Sequence, residues 1–162
     1  MNGPVRCFAL TVGKLEIAMP TRDIAVLRPG AGKPGAGFSW LETTADGKLR
    51  LTFDLSRIFF PGEPSRPTRA VVLVPQSVPD GLRRSFEKRR EGEAFECAFL
   101  CERIDREIDI PAALLRPLPQ LIRPEGIFGA FSRLAFIDGA AYPLMQAKEL
   151  IDTLVRFRRS LQ

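Results

Sequence analysis

The residue types that carry most enzyme chemistry are thinly supplied in this chain of 162 residues, and histidine is absent. Without an imidazole there is no Ser-His-Asp or Cys-His nucleophile. There is likewise no H-E-x-x-H zinc site, and no acid/base group that ordinarily titrates near neutral pH. The three cysteines, Cys7, Cys97 and Cys101, are odd in number and form no C-x-x-C pair. That spacing fits neither a disulfide framework nor zinc ligation. Glu102, Asp105, Glu107 and Asp109 resemble a set of catalytic carboxylates. They alternate, however, with Ile104, Ile108 and Ile110 and with Arg103 and Arg106, as on a self-neutralising exposed strand. Gly30-x-Gly32-x-x-Gly35 has the letters of a dinucleotide fingerprint. That motif needs a helix to begin directly after the glycines, so that amide groups and the helix dipole meet a pyrophosphate. Here Pro34 interrupts it and Phe38-Ser39-Trp40-Leu41 follows without a helical period, so no cofactor and no metal is expected.

Charge offers one further chemistry. Arg83, Arg84, Lys88, Arg89 and Arg90, against Glu87, place a net +4 of the chain's +5 in eight residues. A solvated loop or short exposed helix accounts for such a segment. The alternative is a small-barrel nucleic-acid binder that uses residues 83–90 against phosphates, which would also require aromatic platforms. Phe8, Phe53, Phe95 and Phe99 fall instead on strand faces expected to be core. No apolar run is long enough for a membrane helix and the first residues lack a signal-peptide layout, so a cytoplasmic protein without membrane insertion is expected.

The elements that position these residues are mostly strands. Phe8, Leu10 and Val12 alternate, Gly13-Lys14 turns the chain, and Leu15, Ile17 and Met19 alternate back. This is a hairpin with the type II′ signature. Ile24 to Leu27 continues as a short strand, and residues 28–37 form a Gly/Pro loop. Lys48 to Asp54 alternates cleanly behind Asp46-Gly47, and Ser56 to Phe60 reads as one helical turn. Ala70 to Val74 suits a buried strand, and Leu82 and Phe86 mark a brief helix. In Phe95–Cys101, the residues Phe95, Cys97, Phe99 and Cys101 share one face, where thiols act as apolar fillers with raised pKa. Pro111 to Pro119 is a proline-punctuated connector. Asp138-Gly139 joins Leu134–Ile137 to Ala140–Met145 in a type I′ hairpin. A helix from about Gln146 to Leu161 presents Ala147, Leu150, Ile151, Leu154, Phe157 and Leu161 on one stripe.

Two segments 92 residues apart share a layout: Asp46-Gly47 and Asp138-Gly139 each precede a strand and then a helical start. The echo suggests two similar small barrels, which close a sheet and remove its edges.

From about Cys7 to Ile151 the chain resembles the CheW-like domain of bacterial chemotaxis scaffolds. Phe8–Met19 is similar to that family's first hairpin. Gly47 to Phe59 is similar to its Gly, strand, Asp-Leu, short-helix segment. Ala70–Val74, Ala98–Ile104, Ile110-Pro111, Leu115–Pro119 and the Asp138-Gly139 hairpin follow in the family's order. The resemblance implies a mainly β fold of two packed five-stranded SH3-like barrels with a C-terminal helix. It implies one domain over 1–162, with barrel subdomains at about 20–75 and 95–145 and a helix at 146–161. It also implies a non-enzymatic adaptor between a chemoreceptor tip and the regulatory domain of a CheA-type histidine kinase, with partner contacts at Asp46, Gly47, Asp54, Arg57 and Arg103. The family's Asn-Leu-Arg-Gly step falls on Thr44-Ala45-Asp46-Gly47, so the glycine is kept and an aspartate stands in place of the arginine.

Overall fold

A computed structural model describes residues 3–89, 94–117, 131 and 133–160. Arg90, Leu118, Pro119 and Leu161, all singled out above, lie outside the described residues. The strands are β1 (Val5–Val12), β2 (Leu15–Pro20), β3 (Ile24–Pro29), β4 (Ser39–Thr43), β5 (Leu49–Asp54), β6 (Arg69–Leu73), β7 (Phe95–Cys101), β8 (Arg103–Ile110), β9 (Leu115–Pro117), β10 (Arg133–Ile137) and β11 (Ala140–Leu144). The helices are α1 (Leu55–Phe59), α2 (Asp80–Arg89) and α3 (Ala147–Ser160).

The strands form two mixed sheets, one of six strands in the order β8-β1-β2-β11-β10-β9 and one of five in the order β3-β6-β7-β5-β4. Five strands of each follow the same rule of direction. The hairpin β10/β11 is antiparallel, β11 runs parallel to β2, β2 antiparallel to β1, and β1 antiparallel to β8. The second sheet repeats this as β4/β5, β5/β7, β7/β6 and β6/β3. Read in that correspondence, the six-stranded sheet is a circular permutation of the five-stranded one. Its last two matching strands are supplied by the amino-terminal hairpin, and β9 is an addition. The echo between Asp46-Gly47 and Asp138-Gly139 marks the equivalent hairpins β4/β5 and β10/β11, each leading into a helix.

Curling is forced in the six-stranded sheet. Its two edges, β8 and β9, are joined by Pro111 and a 3-10 turn at Ala112–Leu114. Flat edges six strands apart would lie about 24 Å from each other, whereas the connector reaches at most about 18 Å.

Three clusters of buried side chains follow. Leu10, Val12, Ile17 and Met19 of one sheet meet Phe53, Val71, Cys97, Phe99 and Cys101 of the other, closed over by α1 and by Ala147, Leu150, Ile151 and Leu154 of α3. Inside the curl of the six-stranded sheet, Cys7, Ala9, Ala18, Ala135 and Tyr142 pack together. Trp40, Ala70 and Leu100 fill the five-stranded sheet's other face. The alternation in β1 and β2 therefore has a second meaning. The small residues between the large ones are core as well: Cys7, Ala9 and Ala18 face the curled sheet's interior, where they leave room for Ile110, Tyr142 and Leu144.

The turns behave as their residues require. Gly13 has φ of +60°, and Asp138 and Gly139 have +49° and +79°, the pair of positive angles a type I′ turn demands. A register shift between Ala9 and Leu10 leaves Asp105 unpaired in β8. This bulge sends Ile104 to the intersheet core and Ile108 and Ile110 to the barrel interior.

The sheets divide the chain differently from the expected 20–75 and 95–145. Phe95–Cys101 pairs with β5 and β6 in the sheet that begins at Ile24, and the hairpin Val5–Pro20 belongs to the sheet of β8–β11. The chain passes between sheets twice, through the 3-10 turn Thr21–Asp23 and directly from Cys101 to Arg103. β4 carries no alternation that marks a strand in the sequence, since the adjacent apolar pair Trp40 and Leu41 divides between a buried and an exposed position and Glu42 and Thr43 are exposed.

Candidate docking surfaces

Asp54 ends β5 and caps α1. Its buried carboxylate accepts the backbone N–H of Ser56 at 3.1 Å and of Arg57 at 3.4 Å, and the Ser65 hydroxyl at 3.1 Å from each oxygen. This satisfies amide groups that no helical partner can reach. The Arg57 guanidinium lies 3.4 Å from Asp54 Oδ2 and donates to the carbonyls of Lys33, Ala36 and Gly37 at 3.2, 2.6 and 3.1 Å. The glycine-rich loop thus turns carbonyl oxygens, not amides, toward its ligand-facing side, and that ligand is an arginine of the same chain. Where a nucleotide fold would place a helix, β4 follows. Gly30 is needed for close approach instead: a Cβ there would sit 2.8 Å from Leu100 and 3.1 Å from the Ala70 backbone nitrogen.

Glu102 extends this network across the sheets. Its Oε1 accepts the Gly13 amide at 3.1 Å and the Ser56 hydroxyl at 3.4 Å, while its carbonyl accepts Thr68 Oγ1 at 2.6 Å. Arg103, next along, is exposed and pairs with Asp105 at 3.2 Å, and Asp105 also accepts the Thr11 hydroxyl. Asp54, Arg57 and Arg103 therefore gather at one end of the molecule, around α1 and the Gly13 turn. Asp46 and Gly47 stand at the opposite end of β5. There Gly47, with φ of +84°, donates to the Thr44 carbonyl, and the Thr44 hydroxyl donates to Asp46. That hydrogen bond, the Asp46 backbone amide and Lys48 at 3.8 Å hold the Asp46 carboxyl below its usual range.

Three of the four carboxylates that could have formed a catalytic pair are occupied separately: Glu102 and Asp105 as above, and Asp109 by Arg6 at 3.2 Å; the fourth, Glu107, is exposed. Among the described residues no group of histidine, cysteine, aspartate and glutamate could hold a metal ion. Burial pushes the thiols of Cys7, Cys97 and Cys101 up to about 12, as far from nucleophilic thiolates as a core can make them.

What the surface offers is apolar. Val26 and Leu41, both exposed, lie on β3 and β4, the two edges of the five-stranded sheet. Phe136 on β10 is 59% exposed, and Leu114 stands on the turn into β9. Beside the β4 edge, Leu41, Leu51, Leu82, Phe86, Leu154 and Val155 line an apolar groove of about 310 Å³ between the sheet, α2 and α3. Sequence reasoning missed the roles of Glu102, Ser65 and the β4 edge. The partners of the Glu102 carboxylate are 46 and 89 residues away, Ser65 reaches Asp54 across a loop, and no local period marks any of them.

No family model and no curated protein matches the chain. Among solved structures it is similar to the scaffolding protein TtCheW from Thermoanaerobacter tengcongensis, at 14% sequence identity and a TM-score of 0.61, over 87% of this chain and 83% of that one. The likeness establishes the fold: mainly β, two mixed sheets in the CheW arrangement of paired SH3-like barrels, and a C-terminal helix.

Proposed function

We propose that this chain is a non-enzymatic adaptor of chemotaxis-type signalling that couples a chemoreceptor's cytoplasmic tip to the regulatory domain of a CheA-type histidine kinase, on the cytoplasmic side of the membrane. The observation that carries this reading is the shared fold with a scaffold protein over most of both chains. Two features of the surface support it. Exposed apolar side chains stand at free sheet edges, where a partner strand or helix gains both hydrogen bonds and apolar burial. The carboxylates Glu102, Asp105 and Asp109, by contrast, are engaged separately, each with its own partners. In this reading Asp46, Gly47 and Arg103 face partners directly. Asp54 and Arg57 act by fixing the loop of residues 30–37 against α1.

The test is capture of the purified chain by an immobilised receptor tip and by an immobilised kinase regulatory domain. Asp46→Arg, which supplies the family's residue, is expected to strengthen capture by the receptor tip severalfold, and Arg103→Glu to weaken capture by at least one partner. Wild-type chain held by neither bait overturns the adaptor reading. Salt-dependent binding to single-stranded oligonucleotide, lost in an Arg84→Glu, Lys88→Glu variant, would replace it with the nucleic-acid reading.

A further inference from the structure

At the end of the six-stranded sheet, the start of β1, the 3-10 turn after β2, the turn into β9 and the start of β10 enclose a cleft of about 700 Å³. That size accepts a ligand or a short stretch of chain. Three arginines from separate elements line it: Arg6 on β1, Arg22 in the turn and Arg133 on β10. No carboxylate lines it among the described residues. Asp109 neutralises Arg6 from outside, at 3.2 Å. Asp23, adjacent to Arg22, turns away and accepts the Ser77 hydroxyl at 2.7 Å. Arg22 and Arg133 have no carboxylate partner among the described residues. Between the arginines the walls are mixed, with exposed Pro4 and half-buried Val5 and Leu115 supplying apolar surface beside Thr21.

The geometry points to this cleft as a docking site for an acidic, extended segment of a partner protein, whose carboxylates pair with Arg22 and Arg133 while intervening apolar side chains cover Pro4, Val5 and Leu115. Guanidinium groups favour this ligand because their planar donors match a carboxylate two bonds at a time. A nucleic-acid strand fits less well: it would need aromatic faces on which bases stack, and among the described residues no aromatic side chain lines the cleft. The site is separate from Asp46 and from the α1 network, and it stands whether or not the partner is a chemotaxis protein.

The probe is a fluorescein-labelled peptide that alternates Glu with Leu, followed by fluorescence anisotropy against the full chain. Saturable binding is expected at low salt, weakening as salt rises to about 0.3 M. An Arg22→Glu, Arg133→Glu variant is expected to lose at least about tenfold in affinity with an unchanged melting temperature, since both side chains are exposed. The neutral Arg22→Gln, Arg133→Gln pair is expected to fall between. Arg84→Glu, Lys88→Glu makes the same charge change on α2 and is expected to bind as the wild type does. The proposal is overturned if the peptide does not saturate, if the α2 variant loses as much as the cleft variant, or if a single-stranded oligothymidylate competes as well as the acidic peptide.

Discussion

Asp54 shows how a residue that looks like a surface contact can be a keystone of the fold. The Asp-Leu step at the end of a strand is visible in the sequence, and so is its fitness as a helix cap. Its full burial is not visible, because that depends on Ser65 and on the loop of residues 30–37 folding back over it. Replacing it by alanine removes a cap and leaves the partly exposed Arg57 without its counter-ion. Asp54→Ala is expected to cost about 2–3 kcal/mol in urea unfolding, with Asp54→Asn costing less because asparagine still caps. The cysteines give a second residue-scale test. Their folded-state thiols ionise near 12, against 9.0 for the free group. Between those values the unfolded chain releases protons that the folded chain keeps, so the thiols' stabilising contribution is whole below about 9 and is lost as pH climbs toward about 12. Chemical denaturation across that window is expected to show this loss, and a Cys7→Ala, Cys97→Ala, Cys101→Ala variant to show a shallower one. Ellman's reagent at pH 8 is expected to find no reactive thiol until guanidinium unfolds the protein.

Elements were legible wherever period and turn chemistry agree. The β1/β2 and β10/β11 hairpins, α1, α2 and α3 stand close to where alternation, Gly13, Asp138-Gly139 and the apolar stripe of the last helix put them. Pairing between distant strands was not legible. The parallel contacts of β5 with β7 and of β11 with β2 join segments some 46 and 126 residues apart (Leu49 to Phe95, Ala18 to Leu144), and a period of two says nothing about which neighbour a strand takes. The bulge at Asp105 is similarly silent, since one residue out of register exchanges the faces of Ile104 and Ile108. Loops were legible as loops, but not for what they approach. Gly30 is the clearest case: its hydrogen replaces a side chain that would collide with Leu100 and the Ala70 backbone. Gly30→Ala is expected to destabilise by about 1–3 kcal/mol, measured as a lowered denaturation midpoint with an unchanged slope. Gly37→Ala, with nothing within 4 Å of its added carbon, is the matched control and is expected to be nearly neutral.

At the scale of the whole molecule, two sheets with one pairing rule are threaded in permuted order and bound by a single intersheet core. The crossing from Cys101 to Arg103 and the Glu102 bridge tie the halves together at the α1 end, and the crossing through Thr21–Asp23 joins them at the other end of β2. In the adaptor reading proposed above, this body, with apolar Val26 and Leu41 at the edges of one sheet, holds other proteins in fixed relation. Titration calorimetry of the full chain with the regulatory domain of a CheA-type kinase tests this most directly. Saturable one-to-one binding with a negative heat-capacity change, the mark of apolar burial, is the expected result. Heats indistinguishable from dilution, with this domain and with a chemoreceptor tip alike, would contradict it.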